Sequence, residues 1–256
     1  MKKYFFFDID GTLTEGKGFF SIIPYSTKQA IRMLKEKGHV VAIATGRPYV
    51  SSKHYAEEAG IDYMVCNGGY ACYYKGECLQ SKGMNREDCQ RVIEECLEKN
   101  IGFCVATDES FRFCAKDDTF LRKVDHTEFH EKLTIDETIN YDELPEIYRI
   151  LIALKPGEES KIEQYGSLVP SRYQKSFVII EPDDKYHGVL SMLEHIQGDP
   201  SQVVVFGDGR NDIKMFQNAP FAIAMGNAIE ELKELADYVT SNCDDDGIYR
   251  ACAHFE

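Results

Sequence analysis

The stretch Tyr4-Phe5-Phe6-Phe7-Asp8-Ile9-Asp10-Gly11-Thr12-Leu13-Thr14 decides how the rest of the chain is read. Four apolar residues in unbroken succession, without the alternation of a half-exposed strand, describe a strand covered on both faces, as in a parallel sheet flanked by helices. The run stops at two carboxylates placed two residues apart, followed by a glycine. Ligands of open α/β sheets bind where strands end. On its own, an Asp-x-Asp-Gly after a strand is more often an ordinary turn, so its meaning depends on what the other strands deliver to the same edge.

Two further runs share the pattern: Val40-Val41-Ala42-Ile43-Ala44, ending in Thr45-Gly46-Arg47, and Val203-Val204-Val205-Phe206, ending in Gly207-Asp208-Gly209-Arg210-Asn211-Asp212. Between the first two runs the spacing predicts a helix with Ser26 as N-cap, Gln29 as its capping-box partner, Ile31 and Leu34 inward and Gly38 at its close. That is a right-handed β-α-β unit. From Lys185 a helix is predicted with Val189, Leu190, Leu193 and Ile196 on one face.

The middle of the chain reads differently. Asn85 to Lys99 carries Cys89, Val92, Ile93, Cys96 and Leu97 at helical spacing, and strand-like runs follow at Gly102 to Ala106 and Phe111 to Ala115. Ile147 to Leu154, a predicted helix from Glu158 to Tyr165 and a β-rich stretch Tyr173 to Ile180 complete an α+β composition. The expectation is an α/β protein, a Rossmann-like doubly wound parallel sheet formed by residues 1–81 and 184–256, interrupted by an inserted α+β cap domain at 82–183.

Composition narrows the function. With 29 Lys+Arg against 43 Asp+Glu the net charge is −14, and no basic block offsets it, which argues against a nucleic-acid or anionic-membrane partner. No stretch approaches the roughly 20 apolar residues of a membrane span. Nine cysteines without a C-x-x-C pair sit within apolar patterns, as buried thiols of a reducing cytoplasm do. The acidic loop at Asp208 does not fit a calcium EF-hand, because its twelfth position is Ala219.

The chemistry converges at the strand ends. Asp8 and Asp10 on one strand end repel unless a cation intervenes, and Mg²⁺, a hard ion that takes oxygen ligands and shares sites with phosphate, answers that need. Gly11 lets the backbone turn and present N–H groups to an anion. Thr45 and Gly46 offer a hydroxyl and a turn for a phosphate oxygen. Lys185 stands at a helix start, where its charge and the helix amides both suit an anion, although by itself it reads as a surface lysine.

In this order, Asp8 to Thr12, Thr45, Lys185 in Lys185-Tyr186-His187-Gly188-Val189-Leu190, and Gly207 to Asp212 resemble the four motifs of the haloacid dehalogenase-like hydrolase superfamily. Asn67-Gly68-Gly69, after the strand Tyr63 to Cys66, is similar to an element of its Cof-type subgroup, which carries a large α+β cap where the odd middle module falls. The resemblance implies a Mg²⁺-dependent phosphatase acting on a small phosphorylated metabolite, with a sugar phosphate as the favoured class. In that scheme Asp8 is the nucleophile that becomes an aspartyl-phosphate, and Asp10 is first acid, then base. Asp8, Asp208, Asp212 and the Asp10 carbonyl surround the metal, while Gly11, Thr45, Gly46, Lys185 and Asn211 hold the phosphoryl group. A sugar phosphomutase built on the same core is the alternative. A phospho-accepting signalling switch is disfavoured, because it needs neither a proton donor two residues past its acceptor nor a cap. In the cap Arg122, His126 and His130 are candidates that no pattern singles out, and the oligomeric state is not encoded in any motif.

Overall fold

The computed structural model describes residues 1–16, 21–124, 129–172 and 174–255. They divide into two compact units, Met1–Ser81 with Asp183–Glu256, and Lys82–Pro182.

In the first unit Tyr4–Phe7 is wholly buried, and its side chains alternate between two apolar layers. Phe5 and Phe7 join Ile31, Leu34 and Ile43 on one face, while Tyr4 and Phe6 join Val189, Met192 and Leu193 on the other. Burial on both faces is the physical reason for the unbroken apolar run. Among the described residues the sheet has eight strands. Six run parallel in the order Tyr238–Val239, Ala222–Ala224, Val203–Gly207, Tyr4–Phe7, Val40–Ala44 and Tyr63–Cys66. Tyr4–Phe7 lies between Val40–Ala44 and Val203–Gly207, so the chain leaves it toward one side and returns much later on the other. This reversal of strand order opens the crevice in which α/β folds bind ligands.

Two details depart from the sequence expectation. The sheet is not wholly parallel, since Ala71–Tyr74 and Glu77–Ser81 add an antiparallel hairpin beyond Tyr63–Cys66. Its turn residues Lys75 and Gly76 both have positive φ, the geometry favoured between two twisted strands. The helix Tyr25–Glu36 starts before Ser26, with Pro24 at its N-cap and no side-chain cap bond. The Pro24 carbonyl accepts from the Lys28 N–H at 3.2 Å, which leaves Ser26 inside the first turn. The helix after Asp184, Lys185–Ile196, buries Val189, Met192 and Leu193, and its N-cap Asp184 accepts from the His187 N–H.

The second unit is a six-stranded sheet among the described residues, with Arg149–Ile152 paired antiparallel to both Phe103–Ala106 and Val178–Ile180. The helix Arg86–Glu98 packs Cys89, Val92, Ile93 and Cys96 into its core, but Leu97 is half exposed, at the flank of the apolar stripe. The helix predicted over Glu158 to Tyr165 is absent among the described residues. Only a 3₁₀ turn, Glu159–Lys161, forms there. Its continuation is diverted because the carboxylate of Glu95 accepts from the N–H groups of Glu163 and Gln164, and that of Asp88 from the N–H of Ser167. Hydrogen bonds to carboxylates thus replace the intrahelical ones. His130 lies in the short helix Phe129–Lys132, and His126 falls outside the described residues. No helix among the described residues is long and apolar enough to cross a membrane.

Candidate active site

Asp8 follows the buried strand Tyr4–Phe7 directly, and its N–H continues the ladder to the Phe206 carbonyl at 3.1 Å. The backbone then coils, with Leu13 donating to the Asp8 carbonyl and Thr14 to that of Ile9. Gly11 sits in the left-handed region at φ 76°, and a Cβ there would lie 2.3 Å from an Asp208 carboxylate oxygen. Conformation and space both demand glycine at this position. The Thr12 hydroxyl donates to Asp208 Oδ1 at 3.2 Å, tying the first strand end to the third.

The carboxylates of Asp8, Asp208 and Asp212 gather with one oxygen from each inside a 4.8 Å span. Between two of them lies Lys185, which is 1% exposed and donates from Nζ to Asp8 Oδ1 at 2.5 Å and Asp212 Oδ1 at 2.6 Å. The lysine that reads from sequence as a surface residue is therefore among the most deeply buried side chains in the chain. The other Asp212 oxygen accepts from the N–H groups of Asp208 and Gly209. Two carboxylates thus share a single ammonium, and the third, Asp208, has no cation of its own among the described residues.

The electrostatics record that imbalance. Burial pushes the Asp8 carboxyl up to about 8; Lys185 opposes the shift, while Asp212 and Asp208 add to it. Burial, with Asp212, raises Asp208 to about 6. For Lys185, burial alone would lower the ammonium, but Asp212 and Asp8 outweigh it and hold it above its ordinary value. A cluster of oxygen donors with uncompensated negative charge fits a hard divalent cation, which would bring these carboxyls back to their ionised form.

Asp10 departs from the geometry of two parallel carboxylates. Its side chain is half exposed and turns to Arg47, whose Nε and one terminal nitrogen donate to its two oxygens at 2.7 and 2.5 Å. Its carboxylate is not part of the Asp8–Asp208–Asp212 group. Thr45 is buried beyond Val40–Ala44, and its hydroxyl oxygen accepts from the Arg47 N–H at 3.1 Å. A Cβ on Gly46 would lie 3.6 Å from the Asn211 side-chain nitrogen, so these two residues from different strand ends are neighbours.

Sequence reasoning passed over two residues here. Arg47 reads in the sequence only as part of a turn. Asn227 follows the strand Ala222–Ala224 and donates to the Gly11 carbonyl at 2.8 Å and to Asp208 at 3.4 Å. Its own oxygen accepts from the Cys243 N–H. Gly226-Asn227 after the apolar run Phe221 to Met225 is the available signal, although only Ala222–Ala224 of that run forms a strand.

Asn67-Gly68-Gly69 links the second strand end to the lysine. Gly68 N–H donates to the Thr45 carbonyl, and the Gly68 carbonyl accepts from Asp184 N–H at 2.8 Å. Gly69 has φ 99°, and a Cβ there would stand 1.9 Å from the Asp184 carbonyl oxygen. The loop therefore fits only as glycine against the start of Lys185–Ile196.

Comparison with known proteins agrees with this architecture. Residues 5–252 match the model of a haloacid dehalogenase-like hydrolase family. The Bacillus subtilis (strain 168) protein YkrA is 29% identical over 254 residues, spanning 96% of this chain and 95% of its own. The 5-amino-6-(5-phospho-D-ribitylamino)uracil phosphatase YwtE of the same organism is 28% identical, spanning 94% and 93%. Among solved structures, the subclass IIB sugar phosphatase BT4131 superimposes with a TM-score of 0.73 at 28% identity, covering 99% of each chain.

Proposed function

Because the chain belongs to the haloacid dehalogenase-like hydrolase family, we propose that this enzyme of phosphatase type hydrolyses a small phosphorylated metabolite with the help of Mg²⁺. The observation that carries the reading is the buried triad Asp8–Lys185–Asp212, with Asp208 beside it. A fully buried lysine between two aspartates costs desolvation that packing alone does not repay, so its retention points to chemistry.

Asp8 attacks phosphorus in line and becomes the aspartyl-phosphate, while Lys185 offsets the charge that Asp8 and the phosphoryl oxygens share. Mg²⁺, held by Asp8, Asp208, Asp212 and the Asp10 carbonyl, would supply charge neutralisation and orientation. Thr45, Asn211, Gly46 and the Gly11 backbone present the remaining donors. Asp10 protonates the leaving alcohol and then takes a proton from the hydrolytic water. Its carboxylate must swing from Arg47 to do so, a side-chain rotation open to a half-exposed residue.

A sugar or polyol phosphate is the favoured substrate class. Support comes from the sugar phosphatase and the phosphoribityl-compound phosphatase to which the chain is similar. Nine free cysteines, several of them buried with thiols pushed up to about 12, suit a reducing cytoplasm. The test is a phosphate-release screen over phosphorylated metabolites with and without Mg²⁺. Turnover of one sugar or polyol phosphate that disappears on chelation is expected, and full turnover after exhaustive chelation would sink the proposal.

A further inference from the structure

The described part of the second unit contains a cavity of about 660 Å³ whose lining opposes the charge of the molecule as a whole. Lys99, Arg122, Lys123, Lys155 and Lys161 contribute cations to it, against one carboxylate, that of Glu158. The chain as a whole carries 43 acidic and 29 basic residues, so five cations around one hollow are a local reversal of sign. Such a reversal concentrates anions from solution.

Some of this charge is already matched. Lys99 bonds Glu95 at 2.6 Å, Arg122 bonds Asp118 at 3.1 Å, and Lys161 bonds Glu158 at 2.8 Å. Lys123 donates only to the Asn100 carbonyl, and neither Lys123 nor Lys155 forms an ion pair among the described residues.

The position in the fold separates this hollow from the exit of the unit. The strand Val178–Ile180 runs toward Pro182, and Ile180 pairs with Ile150, whereas Val178 pairs with Ile152. Ala153, Leu154 and Ser176 therefore lie at the opposite end of the sheet from the segment that leaves the unit. The cavity size falls within the range of small-ligand sites, about 300–1,000 Å³. Among the described residues its lining holds Ile101, Ala153 and Leu154 but no aromatic ring to stack a nucleobase.

We propose that this cavity is an anion-binding site for a compact polyanion bearing at least two phosphoryl groups, with Lys123 and Lys155 as its free cations. One phosphoryl group reaches too few of the cations to compete with water, whereas two joined groups bridge the hollow.

The experiment titrates inorganic pyrophosphate, then orthophosphate, into the full chain by calorimetry in excess chelator. Without a divalent ion the crowded carboxylates around Asp8 repel both anions. Expected are a single pyrophosphate site and orthophosphate at least tenfold weaker. The Lys123→Ala/Lys155→Ala variant should weaken pyrophosphate at least tenfold, with melting curves and circular dichroism unchanged in the absence of ligand. Raising salt should weaken the wild-type interaction. No heat up to millimolar pyrophosphate, equal binding of orthophosphate, or an undiminished affinity in the double variant would each overturn the proposal. Should the double variant melt differently, Lys123→Gln and Lys155→Gln singly carry the same comparison.

Discussion

Buried acids of the two units, Asp8 in the first and Asp88 with Glu95 in the second, meet opposite fates. Asp88 and Glu95 stand two turns apart on one helix and are surrounded by donors. Asp88 accepts from the Ser167 N–H and hydroxyl and from Arg91, and Glu95 accepts from two N–H groups and from Lys99. The Ser167 bonds hold Asp88 below the usual carboxylate range. Burial would raise Glu95, but Lys99 and the N–H groups outweigh it. The Asp8 carboxylate accepts from Lys185 alone among the described residues, and that lysine is shared. A buried carboxylate with enough donors becomes a fastener, whereas one with too few keeps an unmet demand for positive charge. The second condition is what a phosphoryl-transfer site exploits.

Substitutions in each unit should separate the two conditions. The largest effect is expected for Asp8→Asn, which removes the nucleophile and should depress kcat by about 10⁴ or more on every substrate while the protein stays folded. Steady-state phosphate release together with a melting curve checks both halves. Substantial residual turnover would remove Asp8 from the covalent role.

Asp10→Asn should lower sugar phosphate hydrolysis by about 10² to 10⁴, the range of general acid–base catalysis. A nitrophenyl ester, whose leaving group departs without a proton, should instead give a burst of one equivalent per site and then slow turnover. Equal depression of both substrates without a burst would make Asp10 a structural residue.

Lys185→Ala should lose about 10² to 10³ in kcat/KM, the scale of one charge-stabilising donor. Wild-type kinetics in a folded variant would reduce the lysine to a structural counter-ion.

The smallest effect on activity belongs to the second unit. Asp88→Ala and Glu95→Ala should leave kcat within about twofold and lower Tm by about 2–4 °C each. Because the folded-state values of both acids are depressed, their contribution is complete above the unfolded pKa values of about 3.9 and 4.3. It is lost as the pH falls through the lower folded values. Wild-type melting should therefore weaken below about pH 4, and the double variant should flatten that acid limb. An unchanged limb would show that other acids govern it.

The sequence made the central strands legible because Tyr4–Phe7, Val40–Ala44 and Val203–Gly207 are buried on both faces and leave an unbroken apolar trace. The motif residues could be placed at strand ends for the same reason. What escaped depends on partners distant in the chain. The motif marks Lys185 for the phosphoryl group, but nothing local says that two aspartates enclose it and bury it. Asp10 turns to Arg47, a contact across 37 positions. The segment Glu158 to Tyr165 carries helical spacing, yet Glu95, on a helix far earlier in the chain, captures the N–H groups of Glu163 and Gln164. Ser26 lost its capping role to a proline two residues before it. Local pattern reports burial well and hydrogen-bond allegiance poorly.

The close approach of Gly69 to Asp184 bears on how the chain tolerates its long interruption. The first unit is left at Ser81 and rejoined at Asp183, yet the bond from Asp184 to Gly68 and the contact at Gly69 are made within that unit. The address of the buried ammonium is therefore written in residues 67–69 and not in the segment between. Insertions, deletions and wholesale drift in that segment leave the address intact, whereas a single methyl group at position 69 erases it.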